Sequence, residues 1–386
     1  MNKRIFCPNC NSNLTTLIYQ VNDVPVNSVL LIKEKKTAIN FPIGDINIKF
    51  CKNCSFIFNS TYDAQLSTYS QKYEGTQAFS PTYETFMIKL ADKLTKDMSI
   101  YNSKILEIGC GQGEFLKIIC DRGKNSGIGY DPSYRGERKK GNITFVREFF
   151  NINTSLDLDI SLIICKMTLE HIQETKSFIS MIRKHIGDQD TKVFFQVPNV
   201  EKIIYEGAFW DIYYEHCSYF CLYSLSYLFR SSGFNIIDLW KDYDDQYLCI
   251  TAEPVHNIES FQKNNHDFNL HIEQFTDNIQ TKISKWKDFF ETHEKKRITL
   301  WGGGSKAVAF ITTLKINEEI EFVVDINPNK DRTYIPISGH LVVNPEYLKK
   351  FPPEIIIVMN PSYKDEITNE LHRMEIHPKI VTIEEF

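Results

Sequence analysis

Apolar residues recur at helical spacing in YETFMIKLADKL (83–94), and from there short apolar runs alternate with amphipathic segments. KILEIG, SGIGYD, ITFV, ISLIICK and KVFFQVP read as strands, while GEFLKIICDRG and ETKSFISMIRKHIG read as helices between them. Such alternation predicts a parallel sheet covered on both faces. The first sixty or so residues differ, since VNSVLLI, TAINF and INIKF read as short strands separated by turn residues, with no long helical period. Beyond YLCITAEP and a polar stretch, IEQFTDNIQTKISKWKDFFETHEKK reads as a linking helix. A second βα series follows in RITLWGGGSKAVAFITTL, IEFVVDINPNK, HLVVNPEYL and EIIIVMNPSYKDEI. The expected division is therefore 1–62, 63–255, a linking helix in 256–296, and 297–386. No repeat of solenoid period is present.

Composition fits several packed cores: the 386 residues are 42% hydrophobic and 24% charged. A net charge of -5 argues against a broad polyanion-binding surface, so nucleic acid is not an expected partner. The opening MNKRIFCPNC has positive residues without an apolar run behind them, and no later run reaches the roughly 20 residues of a membrane helix. The expectation is a cytoplasmic protein without a membrane partner, a monomer or small homo-oligomer.

Ten cysteines are present, and four of them are grouped. Cys7-Pro-Asn-Cys10 and Cys51-Lys-Asn-Cys54 have the knuckle spacing that lets four thiolates surround one Zn2+. A four-thiolate site leaves no open position, so the metal is expected to fold the N-terminal module rather than to catalyse. The other six, Cys110, Cys120, Cys165, Cys217, Cys221 and Cys249, sit in apolar or mixed segments and read as small buried hydrophobes.

ILEIGCGQGEFL (105–116) breaks a strand into Gly109, Gly111 and Gly113 before a helix. Glycines permit the sharp turn and close backbone approach, and the helix start offers unsatisfied N–H groups. Asp131 closes the next strand in IGYDP, where a carboxylate can accept from a ribose diol. The spacing GxGxG lacks the two-residue gap of the dinucleotide fingerprint, and Glu107 would repel a pyrophosphate while suiting a cationic cofactor. Downstream, FWDIYYEHCSYF places Tyr213, Glu215 and His216 together, and CKMTLEHI carries His171. An unprotonated imidazole there can act as general base, or the segment can be an aromatic core with a structural Glu–His pair. In LWGGGSKAVAF, Gly302, Gly303 and Gly304 precede Ser305 and Lys306 at a helix start, without the spacing of a phosphate-binding Walker loop. That loop, with Asn360 and Tyr363 of MNPSY, can cradle a diphosphate or serve only as scaffold.

ILEIGCGQGEFL, GYDP and CKMTLEHI resemble the successive motifs of class I S-adenosylmethionine-dependent methyltransferases. With the paired CxxC module, the Tyr-x-Glu-His run and the C-terminal βα domain, the whole chain is similar to the sugar C-methyltransferase family, which acts on nucleotide-linked keto-sugars. The resemblance implies an α/β fold with a Rossmann-like methyltransferase core, a small N-terminal zinc-binding module and a C-terminal Rossmann-like domain. It implies that Glu107, Gly109, Gly111 and Gly113 border the methionine part of S-adenosyl-L-methionine, that Asp131 holds the ribose, and that Glu148 and Phe149 flank the adenine. It further implies an active site of Tyr213, Glu215, His216, His171 and Tyr73, the last in YSQKYEGTQAFSP. Substrate contacts would come from Gly302, Gly304, Ser305, Lys306, Asn360 and Tyr363. His216 would remove a proton beside the ketone, Tyr213 or Tyr73 would hold the enolate oxygen, and no catalytic metal is called for. The alternative is an O- or N-methyltransferase on another small-molecule acceptor.

Overall fold

A computed structural model describes residues 5–67, 72–154, 159–255 and 266–386. The N-terminal part folds β1 (Thr15–Pro25), the short helix α1 (Lys35–Ile39), β2 (Ile43–Cys51) and β3 (Ile57–Asn59), with β1 antiparallel to β2 and β2 to β3. Two of the expected strands are absent here. Residues 37–41 lie mostly in α1, where Ala38 is fully buried and Asn40 Nδ2 donates to the Lys36 carbonyl to close the last turn. Residues 26–32 run as irregular chain with one bridge, Leu30 to Tyr73; Val26 joins a hydrophobic core and Val29 lines the cavity described below. Their apolar character reflects burial against other elements rather than strand pairing.

The central part comprises α2 (Pro81–Asp97), β4 (Lys104–Ile108), α3 (Glu114–Gly123), β5 (Ser126–Tyr130), β6 (Lys139–Lys140), β7 (Ile143–Val146), β8 (Ile160–Lys166), α4 (Thr175–Ile186), β9 (Lys192–Pro198), α5 (Val200–Glu206), β10 (Ser218–Tyr219), α6 (Leu222–Ser231), β11 (Phe234–Asp242) and β12 (Tyr247–Pro254). Ser80 caps α2 by accepting from the Tyr83 N–H, with Pro81 at the first helical position. The sheet order is β11-β12-β9-β8-β4-β5-β7-β6, with β12 antiparallel to β9 in an otherwise largely parallel array. Ile105, Leu106, Ile163, Ile164, Phe194 and Phe195 have no exposed surface, as expected where helices cover both faces. Strand β10 leaves this part of the chain to pair with β3, so the N-terminal sheet has the order β1-β2-β3-β10.

The long helix α7 (His266–Thr292) then leads into β13 (Ile298–Trp301), α8 (Ser305–Leu314), β14 (Phe322–Val324), β15 (Leu341–Val343), β16 (Ile355–Val358), α9 (Lys364–Arg373) and β17 (Lys379–Thr382). These strands form a parallel sheet in the order β15-β14-β13-β16-β17. Residues 256–265 of the expected linking segment lie outside the described residues. Trp286 of α7 is fully buried against Phe310 of α8, and Phe275 of α7 packs edge-on against Tyr19 of β1. One apolar cluster thus joins the N-terminal sheet, α7 and the C-terminal sheet. Among the described residues no helix is long and apolar enough to cross a membrane.

Both parallel sheets reverse their strand order, the first between β4 and β8, the second between β13 and β16. Ligands of open α/β sheets bind at the carboxyl ends of the strands flanking such a reversal. Here both crevices open into one cavity of about 420 Å3.

Candidate active site

The first wall of the cavity is the turn after β4. Gly109 and Gly113 have φ of +72° and +82°, and a Cβ on either would lie within 2.4 Å of Thr168 or Phe145 respectively, so both the backbone conformation and the space call for glycine. The Gly111 N–H donates to Asp131 Oδ2 at 2.8 Å, while Ser133 donates to Oδ1 from both its N–H and its hydroxyl. Oδ1 is thereby doubly occupied, whereas Oδ2 keeps a second lone pair for a ligand hydroxyl. Asp131 therefore anchors the glycine turn as well as facing the cavity.

Glu107, on β4, is 2% exposed and its Oε2 has no hydrogen-bond partner. Burial pushes its carboxyl up to about 8, with Lys166 pulling the other way and Glu114 and Asp131 adding to the rise. Lys166, at the end of β8, donates to the Tyr83 hydroxyl at 2.9 Å. A buried carboxylate with one oxygen unpartnered beside the glycine turn fits the ammonium or sulfonium end of S-adenosylmethionine, which would supply a further countercharge. The ionised form is the one that binds a cation, and it predominates only above the raised value. Affinity for S-adenosylhomocysteine should consequently rise by up to about tenfold per pH unit as pH climbs toward 8, then level off. Calorimetric titration across that range checks this, and Glu107→Gln should bind more weakly with a flat profile.

Glu148 and Phe149 do not join this wall. Both are exposed, Phe149 by 62%, and neither lines the cavity. Their neighbour Phe150 turns inward instead and packs against Tyr130 and His185. The nearby cavity lining comes from Gln112, Ser133 and Arg135.

The second wall gathers His171, Tyr213, Glu215 and His216. His171 ends a short 3-10 turn, Leu169–His171, after β8, and its Nδ1 lies 2.9 Å from the Glu215 carbonyl oxygen. A carbonyl only accepts, so Nδ1 carries the proton and Nε2 the lone pair. The His171 and His216 rings stand nearly perpendicular with centroids 4.8 Å apart, and the Tyr213 ring lies 4.1 Å from His216 on another side. Burial lowers His171 to about 4, and burial together with His171 holds His216 well below the usual imidazole range, so both rings are neutral at pH 7.

The Glu215 carboxylate is held by the N-terminal segment. Oε1 accepts from the Ser28 N–H at 2.8 Å and from the Ser28 hydroxyl. Ser28 Oγ in turn lies 2.7 Å from Ser305 Oγ, so Ser305 donates into the chain. Burial raises the Glu215 carboxyl to about 7. The fully buried turn at Glu215 thereby ties the irregular N-terminal segment to the start of α8.

The third wall belongs to the C-terminal sheet. Gly302, Gly304, Ser305, Lys306, Asn360 and Tyr363 all line the same cavity. Gly304 stands at the N-cap of α8 with no side chain capping the helix, so its first N–H groups face inward without a side-chain acceptor. Lys306 pairs with Asp211 at 2.8 Å, and Asp325 is held by Lys330 at 3.0 Å and by the Gly303 N–H. Tyr73 also lines the cavity. After it, buried Glu74 binds Arg135 of the central part and both Asn327 and Asn329 of the C-terminal part. Tyr363 reaches the same strap by donating to Gln77 at 2.7 Å.

At the far end of the N-terminal module, Cys7 and Cys54 Sγ atoms are 3.6 Å apart, as are those of Cys10 and Cys51. All four sulfurs lie within 4.8 Å of one another and none is in a disulfide. Zinc–sulfur bonds of about 2.3 Å set tetrahedral sulfurs roughly 3.8 Å apart, so the donor set and the spacing of the cluster fit the metal. Asn9 and Asn53 side-chain amides donate to the Cys54 and Cys10 sulfurs, supporting thiolate charge. The six scattered cysteines are all buried.

Residues 83–239 match the family model described as a methyltransferase domain. The chain carries a methyltransferase domain. With the glycine turn and Asp131 at the strand reversal of the central sheet, that domain has the class I fold and the methyltransferase depends on S-adenosylmethionine. Residues 248–381 match a second model, described as the C-methyltransferase C-terminal domain. No curated protein matches the sequence.

Among solved structures, the chain is similar to a 1,6-didemethyltoxoflavin-N1-methyltransferase of Burkholderia thailandensis. Identity is 14%, covering 44% of this chain and 78% of that one, with a TM-score of 0.36. The magnesium protoporphyrin IX methyltransferase of Synechocystis is likewise 14% identical over 45% of this chain and 84% of its own, TM-score 0.34. A SAM-dependent methyltransferase from Aquifex aeolicus is 13% identical over 46% of this chain and 96% of its own, TM-score 0.35.

Proposed function

We propose that this methyltransferase adds a methyl group to carbon in a nucleotide-linked keto-sugar. The observation that carries the reading is that the cofactor-type glycine turn, the Tyr213–His216 segment and the glycine loop of a C-methyltransferase C-terminal domain all face one cavity. A donor, a base and a nucleotide-binding loop within one enclosure are what such a reaction requires.

In this reading Glu107 and Asp131 hold the cofactor, which when bound supplies an electrophilic sulfonium methyl carbon. The neutral His216 takes the proton from the carbon beside the ketone and becomes imidazolium. The electron pair left behind forms the enolate, whose carbon would bond to the methyl carbon as the methyl–sulfur bond breaks and its electron pair stays on the sulfur of the departing thioether. Tyr213 or Tyr73 donates to the enolate oxygen, a contact of the kind worth a few kcal/mol when preorganised. Half-buried His171, held through the Glu215 carbonyl, packs edge-on against His216 and limits its orientation. The uncapped start of α8, with Ser305 and Lys306, receives the diphosphate, and Lys306 leaves Asp211 to do so. The cysteine cluster holds a structural zinc.

The test is mass spectrometry of the zinc-loaded protein with S-adenosylmethionine and a panel of nucleotide-linked 3-keto and 4-keto sugars, followed by NMR of any product. One added methyl on carbon adjacent to the ketone, with solvent deuterium entering that position, is the expected result. A methyl on oxygen or nitrogen, with no exchange of carbon-bound hydrogen, would replace this reading by O- or N-methylation.

A further inference from the structure

The second wall holds a group that the proposed methyl transfer leaves unused. Glu170 is 1% exposed, and neither of its carboxylate oxygens has a hydrogen-bond partner. A carboxyl group buried without a donor is costly and calls for a counterpart. Its nearest chemistry is the histidine pair. Glu170, His171 and His216 each offer one ligand atom, and these atoms all lie within 4.8 Å of one another.

Two separate segments are locked together to make this cluster. The Cys217 N–H donates to the Glu170 carbonyl oxygen at 3.0 Å, and the His216 N–H to that of Tyr213 at 3.2 Å. The His171 Nδ1–H to Glu215 carbonyl bond fixes the tautomer that presents Nε2 as a lone pair, an arrangement that recurs behind metal-bound imidazoles. His216 stands nearly perpendicular to His171 rather than stacked on it, so the two rings can aim at one point from different directions.

We propose that Glu170, His171 and His216 form a binding site for a divalent transition-metal cation, and that this cation competes with the proton for the lone pair of His216. Two neutral imidazoles and one carboxylate are a donor set suited to zinc, iron, cobalt, nickel or manganese, and they leave coordination positions open toward the cavity. Bonds of about 2.0–2.1 Å put tetrahedral donor atoms roughly 3.4 Å apart, so side-chain rotations of about an ångström close the cluster on the ion. The cation also supplies the partner that both Glu170 oxygens lack. With the His216 lone pair on the metal, no proton can be taken from substrate, and the loaded enzyme is idle until the ion leaves. The binding site stands on geometry alone, whereas the competition rests on His216 being the base proposed above.

Titrating the zinc-loaded protein with Co2+ and following visible absorption separates the two. The expected result is one further equivalent bound, with weak d–d bands and none of the strong sulfur-to-cobalt charge transfer that marks the cysteine cluster. Glu170→Gln and His171→Asn should each weaken that uptake at least about tenfold. Their circular dichroism and S-adenosylhomocysteine binding should be unchanged. Methyl transfer by the wild type should fall in step with cobalt occupancy and return on mild chelation. Absence of saturable uptake by the wild type, or equal uptake by both variants, overturns the site. Turnover that is unchanged or faster at full occupancy overturns the competition.

Discussion

His216→Ala is expected to lower turnover by about 10²- to 10⁴-fold while leaving cofactor affinity where it was. The imidazole is buried beside Tyr213, His171 and Tyr219. Glu107 and the glycine turn lie on the other wall, so S-adenosylhomocysteine should bind the variant as it binds the wild type. The decisive pair of measurements is kcat on the methyl acceptor and loss of solvent deuterium exchange at the acceptor carbon. A variant that turns over normally would remove His216 from the base position.

Stripping the cysteine cluster should also lower turnover, through the N-terminal sheet rather than through the reacting groups. Structural zinc in small peptides contributes an apparent 10–16 kcal/mol or so at neutral pH, and that binding energy is folding energy. Here the N-terminal sheet is finished by β10, whose Ser218 and Tyr219 pair with Phe58 and Ile57 immediately after His216. The Asn59 N–H also donates to the Cys217 carbonyl at 2.9 Å. Cys54→Ser, or exhaustive chelation, should therefore release about one zinc per chain, lower the melting temperature and cut turnover at least about tenfold. Metal analysis with thermal melts checks this, and a metal-free protein with unchanged melting and activity would refute it.

Much of the central fold is legible in the sequence because both of its signals are local. The runs KILEIG, ISLIICK and KVFFQVP are apolar without alternation, which marks strands buried on both faces, and they became β4, β8 and β9. The glycine turn is equally plain, since three closely spaced glycines after an apolar strand have few other uses. The N-terminal module is less readable. VNSVLLI is as apolar as any strand, yet it is buried by contacts with elements hundreds of residues away, and Ser28 within it was not foreseen as a partner of Glu215. Glu170 sat in plain view beside His171, but a Glu–His dipeptide says nothing about whether the carboxylate finds a donor. Glu148 and Phe149 show the converse, because position after a strand does not determine which side chain turns inward.

The match to the C-terminal family begins at residue 248, inside β12, which is hydrogen-bonded on one side to β9 and on the other to β11. A piece of the chain ending at that junction would surrender an interior strand of the central sheet, leaving β9 with a bare edge and β11 without its strand partner. The methyltransferase domain and the domain named for C-methylation are therefore not beads on a string that could be recombined at the boundary between them. They share a stave, and any graft of one onto another partner has to carry that strand along.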